Sequence, residues 1–298
     1  MEAGTGTAAP QVPDFGAPWF MFPSLERQLE ERRVAEGDAE LIRAFARDGY
    51  LVLEDLGRED IDSLVSRAVD DCAPLHEGGK YNRVQEAWTV SEAVRELATL
   101  PRVLELLRTL YALRPIPFQT LNFLHGSQQL THPDTYHFHS FPKHHMCGVW
   151  IALEDVDEGN GPLHYYPGSH RLPDYDAFGP DEGGMMLEAV GQAILDNRFE
   201  RRQAHLKRGQ ALVWAANLLH GGDPVTDLGR TRLSQVTHYY FEGCSYFTPV
   251  LTDFRAGRIH WREVREVGSG DLVQRGSGRR SRIPFMRRRP PTYVRYEI

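Results

Sequence analysis

Apolar and polar positions divide the chain into two regimes. From Leu25 to Asp48 the run LERQLEERRV…AELIRAFARD spaces apolar side chains at three and four residues, the period of a helix with one buried face. Gly49 ends that pattern, and Tyr50–Leu53 reads as a short strand. Glu59–Cys72 and Ser91–Ala112 predict further amphipathic helices. None of these segments gathers metal-ligand residue types, so their expected role is to buttress. At Arg114 the rhythm changes. From there to Phe247, short β-branched and aromatic runs are broken by Gly, Pro, Asn and Asp. Strands are expected at Pro117–Leu124, across His132-Pro133-Asp134, and at Cys147–Leu153, Leu163–Tyr166, Ala211–Trp214 and Ser234–Phe241. The pattern is that of an antiparallel sandwich or barrel with flanking helices.

This divides the chain into a loose N-terminal arm (1–24), a helical buttress (25–113), a β core (114–247) and an arginine-rich C-terminal extension (248–298). The aromatic residues Trp19, Phe20 and Phe22 are expected to tack the arm onto the body. An insertion at 172–202, with a helix at Leu187–Asn197, interrupts the β rhythm as either a lid or a plain surface excursion. The extension gathers Arg279, Arg280, Arg282, Arg287, Arg288 and Arg289, which read as a solvated tail.

Composition narrows the class. A chain of 298 residues with 41% hydrophobic and 25% charged residues suits one large globular unit. Its formal charge of −7 argues against nucleic acid as a partner. Lysine occurs only at Lys80, Lys143 and Lys207, so arginine abundance is a property of the whole chain before it is a functional signal. Cys72, Cys147 and Cys244 form neither a C-x-x-C nor a disulfide framework. The first twenty residues lack a basic region followed by an apolar run, and no stretch is long and apolar enough to span a bilayer. The expectation is a cytoplasmic protein.

The candidate chemistry centres on Thr131–His139, THPDTYHFH. In an extended chain alternate side chains share a face, so His132 and Asp134 project together. An H-x-D followed far downstream by a lone His is the layout of a 2-His-1-carboxylate site, which holds iron(II) by one face and leaves the other open. His220 supplies the third ligand, at the end of the apolar run Ala211–Leu219; Gly221 and Gly222 after it permit a sharp turn and close backbone approach to a bound group. Arg232 and Ser234 share a face of the last strand, where a guanidinium and a hydroxyl suit the distal carboxylate of 2-oxoglutarate. Arg230 competes for that role on the same strand parity. His137-Phe138-His139 offers a rival H-x-H, and His137, His139, His144 and His145 are otherwise expected at the substrate entrance. Trp150 and Trp214 are expected in the core, with the pocket lining as the alternative for each, and His170 as a structural residue orienting its loop.

The segment Met146–Arg171, MCGVWIALEDVDEGNGPLHYYPGSHR, resembles the phytanoyl-CoA hydroxylase-like family of iron(II)/2-oxoglutarate oxygenases. That family carries an H-x-D, a WxALxDv…NGPL…PGSH stretch, a distal His and an Arg on the final strands. Here those are His132-Pro133-Asp134, Trp150–His170, His220 and Arg232, over roughly residues 40 to 245. The resemblance implies a double-stranded β-helix (jelly-roll or cupin-like) core with the metal in its mouth. It also implies Gln119 and Asn122 as polar contacts to the co-substrate. The activity implied is hydroxylation of an unactivated C–H bond using dioxygen, with 2-oxoglutarate converted to succinate and CO2. Two rivals stay open at this point: a jelly-roll module that binds a sugar or small acid without catalysis, and a metal-dependent lyase or isomerase on the same fold.

Overall fold

The computed structural model describes residues 17–79, 82–174, 182–253, 256–273 and 294–296. Residues 1–16 of the expected arm, the six arginines from Arg279 to Arg289, and 175–181 of the insertion lie outside the described residues. The helical period of the first third is realised as α1 (Leu25–Glu31), α2 (Glu36–Asp48), α3 (Ile61–Cys72), α4 (Glu92–Ala98) and α5 (Pro101–Tyr111). The single pattern from Leu25 to Asp48 breaks between α1 and α2, where Arg33 takes a positive φ of 52°. The expected helix over Ser91–Ala112 is likewise two helices. Pro101 has no N–H to continue a helix and holds Leu100 extended (φ −54°, ψ 123°), so α5 starts afresh with proline in its first turn. Gly49 closes α2 at φ 79°, its N–H bonded to Phe45 O. A Cβ there would lie 2.4 Å from His170 Nδ1, so glycine serves both the turn and the packing of that imidazole. Trp19 and Phe20 are buried, and Phe20 packs edge-on against Phe45 and Tyr111.

The strands are β1 (Tyr50–Leu53), β2 (Arg83–Gln85), β3 (Pro115–Phe123), β4 (His139–Phe141), β5 (Met146–Ala152), β6 (Leu163–Tyr165), β7 (Arg202–Ala204), β8 (Ala211–Ala215), β9 (His220–Gly222), β10 (Ser234–Phe241), β11 (Ser245–Phe247) and β12 (Val294–Tyr296). A seven-stranded antiparallel sheet runs β1-β8-β5-β10-β3-β2-β12, and a second sheet runs β7-β6-β9; β4 and β11 form a separate pair. This is a mostly-β fold of antiparallel sheets with helices on one side, of the jelly-roll class. The sheets face each other without closing into one hydrogen-bonded barrel.

Strand parity distributes the core. On β5, Val149 and Ile151 face the helices and join a cluster with Leu64, Leu97 and Leu107; Trp150 and Ala152 face the second sheet and pack with Leu163, Tyr165 and Ala204. On β8, Val213 faces the helices while Leu212 and Trp214 face inward. Both faces of these strands are buried, so the polar alternation of a half-exposed strand is absent from their sequence. The insertion carries α6 (Gly183–Asn197), longer at its start than expected because Gly183 and Gly184 mask the helical pattern. Its Met186 and Val190 pack with Tyr136, Tyr166 and Leu219. No helix among the described residues is long and apolar enough to cross a membrane.

Gly148 on β5 pairs with Trp214 on β8, and the two meet closely on the inner face of the main sheet: a Cβ on Gly148 would lie 2.2 Å from the Trp214 ring. Gly148→Ala is expected to overpack this point and destabilise the protein by about 1–3 kcal/mol, read as a lowered urea midpoint with unchanged slope.

Candidate active site

The expected strand through His132-Pro133-Asp134 is in fact one β-bridge followed by a turn. Pro133 has no N–H to extend a ladder, and Asp134 O accepts from His137 N and Phe138 N to start a 3-10 turn at Asp134–Tyr136. Pro133 itself is extended (φ −94°, ψ 144°), which keeps His132 and Asp134 on one side. The bridge joins His132 directly to His220, with His132 N to His220 O at 2.9 Å and the reverse bond at 3.1 Å. His132 Nδ1 lies 2.7 Å from Leu130 O, and His220 Nδ1 lies 2.9 Å from Leu218 O. A carbonyl can only accept, so each Nδ1 carries a proton and each Nε2 is the ring nitrogen left to face a bound metal. One ligand atom each from His132, Asp134 and His220 lies within 4.8 Å of the others. All three residues are buried.

Asp134 would be costly to bury without partners. Burial opposes its ionisation, but His220, His238, His132 and the Trp214 N–H outweigh it, holding the carboxyl below its ordinary range. Trp214 Nε1 donates to Oδ2 at 2.7 Å; His220 Nε2 is 3.8 Å from Oδ1 and His238 Nε2 is 3.7 Å from Oδ2. Burial pushes His132 and His238 down to about 4, so both are neutral at physiological pH.

These groups open into a cavity of about 340 Å3 between the two sheets. Arg232 lines it from the start of β10, buried, with its guanidinium carbon 5.3 Å from the Trp150 ring and 5.6 Å from that of Phe123. Nη1 donates to Ser234 Oγ at 2.8 Å, while Nε has no partner. Among the described residues no carboxylate pairs with it. Burial lowers its pKa to about 10, with Glu154 opposing, so it remains a cation. Ser234 thus reaches the cavity through Arg232. Arg230 does not compete: it forms a 2.7 Å pair with Asp157 at the surface. Gln119 lines the cavity and bonds His238 Nδ1 at 3.0 Å. Asn122 has the opposite strand parity; its side chain donates to Gln235 at 3.2 Å and lies outside the cavity.

The long segment between the ligands works as bracing. Asn160 Nδ2 donates to Thr231 O at 3.2 Å, and Glu154 accepts from Leu233 N and Thr231 Oγ1, holding the turn that delivers Arg232. Ser169 Oγ accepts from Leu219 N at 2.9 Å, immediately before His220. His164 bonds Thr131 Oγ1 at 2.8 Å and Asp223 Oδ1 at 2.7 Å, linking the flanks of His132 and His220. Gly221 and Gly222 admit neighbouring backbone in place of a bound group: added Cβ atoms would meet Gln129 O at 2.6 Å and Gln128 N at 2.8 Å. They lie in β9 and form no turn.

Sequence reasoning did not single out His238, Arg83, Thr248 or Arg262, which line the cavity, and it favoured the core over the pocket for Trp214. Trp214, expected as core, also bonds Asp134; its strand parity with the inward Leu212 is the only signal. His238 continues the alternate positions Arg232, Ser234 and Val236, which sufficed to place it on the same face. Of the four histidines expected at the entrance, His137 lines the cavity, its ring 6.0 Å from that of His132. His139, His144 and His145 do not. His139 and His144 converge instead on Asp174, which also pairs with Lys143 at 2.7 Å, and His145 Nδ1 bonds Lys143 O at 2.9 Å. His170 Nε2 bonds Ala46 O at 3.2 Å, a link between loop and helix.

The fold and the site together describe an antiparallel jelly-roll protein with a His-Asp-His cluster in its cavity. The sequence model of the phytanoyl-CoA dioxygenase (PhyH) family matches residues 58–231, more than half the chain, and the chain belongs to that family. It is 27% identical over 124 residues to the peroxisomal phytanoyl-CoA dioxygenase of Bos taurus, covering 40% of this chain and 36% of that protein. It is 31% identical over 75 residues to phytanoyl-CoA dioxygenase domain-containing protein 1 of Danio rerio, covering 24% and 26%. The chain thus matches only about a third and a quarter of the length of these relatives. Among solved structures it resembles the non-heme α-ketoglutarate-dependent carbocyclase SnoK from nogalamycin biosynthesis (TM-score 0.61, 18% identity, 79% of this chain and 93% of that one). It also resembles the epimerase SnoN from the same biosynthesis (0.58, 20%, 71% and 85%). EctD from S. alaskensis, with bound 2-oxoglutarate and 5-hydroxyectoine, is similar as well (0.51, 22%, 70% and 76%). At these identities the likeness is one of fold.

Trp214→Phe keeps an aromatic ring on the inner face of β8 and removes the N–H that Asp134 accepts. Affinity for a divalent metal, measured by calorimetry, is expected to fall by about 10- to 100-fold, the usual effect of losing a hydrogen bond to a ligating carboxylate.

Proposed function

We propose that the protein is an iron(II)/2-oxoglutarate-dependent oxygenase that hydroxylates an unactivated C–H bond of a small molecule. The observation that carries this reading is the pairing, in one cavity, of the His132–Asp134–His220 cluster with the guanidinium of Arg232, with which no carboxylate among the described residues pairs. The donor set fits the metal: two imidazole Nε2 atoms and one carboxylate on one side of a cavity suit iron(II) with open positions. Arg232 fits the co-substrate, because a buried cation with an idle Nε lacks an anion to complete it. When bound, iron and 2-oxoglutarate supply the oxidising chemistry, with release of succinate and CO2.

The chain's own residues then have separable tasks. His132, Asp134 and His220 would hold the metal. Leu130 O and Leu218 O fix the two ring orientations, and Trp214 fixes the carboxylate. Arg232, steadied by Ser234 and by the Trp150 and Phe123 rings, would hold the far carboxylate of the keto acid. Gln119 and His238 would complete the polar wall beside Asp134. A binding module without catalysis has no need of a three-ligand cluster and an anion grip in the same cavity.

Adding iron(II) and 2-oxoglutarate to the oxygen-free protein should produce the visible charge-transfer absorption of an iron-chelated keto acid. The band should be lost in Asp134→Ala and in His220→Ala. Iron binding without the band would reassign the site to other metal chemistry. Arg232→Ala should weaken 2-oxoglutarate by about 10- to 100-fold, the worth of a charge-assisted hydrogen bond, with Arg230→Ala unchanged. The reverse pattern would assign the anion grip to Arg230.

A further inference from the structure

The cavity is more cationic than the reaction requires. Three guanidiniums line it, from Arg83, Arg232 and Arg262, against a single carboxylate, Asp134. Against that one carboxylate, Arg232 and Arg262 alone leave a surplus of one positive charge. A divalent metal and a dianionic keto acid cancel each other, so the surplus persists after both are bound. Arg232 accounts for one end of the keto acid and leaves Arg262, with which no carboxylate among the described residues pairs.

Arg262 is held as a built part of the wall. Its backbone N–H donates to Tyr246 O at 2.8 Å, and Nη1 donates to Thr248 Oγ1 at 3.2 Å. Its guanidinium carbon lies 4.8 Å from the Phe138 ring and 5.6 Å from that of Phe118, while Nε is buried without a hydrogen-bond partner. Among the described residues no carboxylate forms an ion pair with it. Glu86 is within electrostatic reach, but its oxygens are taken by Trp88 Nε1 at 2.5 Å and Gln85 Nε2 at 3.4 Å. Arg262 also stands away from Arg232. Arg232 covers Phe123 and Arg262 covers Phe118, positions separated along β3 by on the order of 15 Å at strand rise. The cluster around Asp134 reaches the Arg262 end through His238, whose ring lies 6.1 Å from that of Phe118 and whose Nε2 is 3.7 Å from Asp134 Oδ2.

We propose that the substrate is a small organic acid whose anionic group docks on Arg262, at the opposite end of the cavity from the Arg232 grip. This rests on reading the cavity as the oxygenase site. The guanidinium edge and Thr248 receive the acid, Phe138 offers an apolar wall to the carbon skeleton beside it, and Arg83 adds its charge to the same mouth. An acid anchored there extends its body toward Asp134.

The test compares benzoate with benzamide, which match in shape and differ in charge, and with inorganic phosphate. Calorimetric titrations use the protein loaded with redox-inert nickel(II) and 2-oxoglutarate. The same titrations on metal-free protein carrying Arg232→Gln read Arg262 whether or not the keto acid binds, so a failure of the oxygenase reading shows separately as lost 2-oxoglutarate binding. Benzoate should bind at least about tenfold more tightly than benzamide, the worth of one charged hydrogen bond. Arg262→Gln should erase that preference, as should Arg262→Met, which keeps an unbranched stem against Phe138. Equal binding of benzoate and benzamide by the unmutated protein overturns the proposal without any variant. So does a preference that survives both substitutions, or phosphate binding more tightly than benzoate.

Discussion

Two backbone hydrogen bonds between His132 and His220 hold together what the chain keeps far apart. They make the shortest possible antiparallel ladder, a single bridge, and the imidazoles that leave it stand side by side with ring centroids 4.8 Å apart. A bridge of one residue pair is weak alone, so its register must be imposed from outside. The His164 ring does this by tying Thr131, one residue before His132, to Asp223, three residues after His220. Arg201 and Gln203 also bond Asp223 and extend the brace to the edge of β7.

The same constraint explains why a buried carboxylate is tolerated. Asp134 sits where desolvation should neutralise it, and the Trp214 indole N–H donates to its carboxylate. Arg232 is the complementary case, a cation stripped of water and faced by aromatic rings. Each group is costly when buried alone and favourable once a group of opposite charge sits beside it. A site of this kind stores its binding energy in unpaired polar groups, and the surrounding sheets hold those groups in place.

The motif stretch that carries the family likeness contributes few atoms to the cavity. Asn160 and Glu154 set the turn before Arg232, and Ser169 sets the approach to His220. Gly161, at φ 78°, leaves 2.7 Å between an added Cβ and Asp223 O, so only glycine lets the two loops meet. The stretch is recognisable in sequence because its side chains satisfy neighbouring backbone, which demands particular residue types at particular spacings.

Local chemistry was readable without the fold. The β period from Arg114 onward, the H-x-D, the His after an apolar run and the Arg-x-Ser pair all depend on neighbours one or two residues away. Strand parity then carries them to a common face. Helix boundaries were readable where one residue decides them, as at Gly49, and misread where proline begins a second helix at Pro101. Only the tertiary structure decided which polar side chains share the cavity. Asn122 and Gln119 differ by a choice of face that the surrounding sheet makes, and Trp214 looks like any buried aromatic until Asp134 arrives from a separate loop. Arg230 and Arg232 have the same parity, yet one ends at the surface on Asp157 and the other between Trp150 and Phe123. Those outcomes come from contacts between residues distant in sequence, to which no local spacing is sensitive.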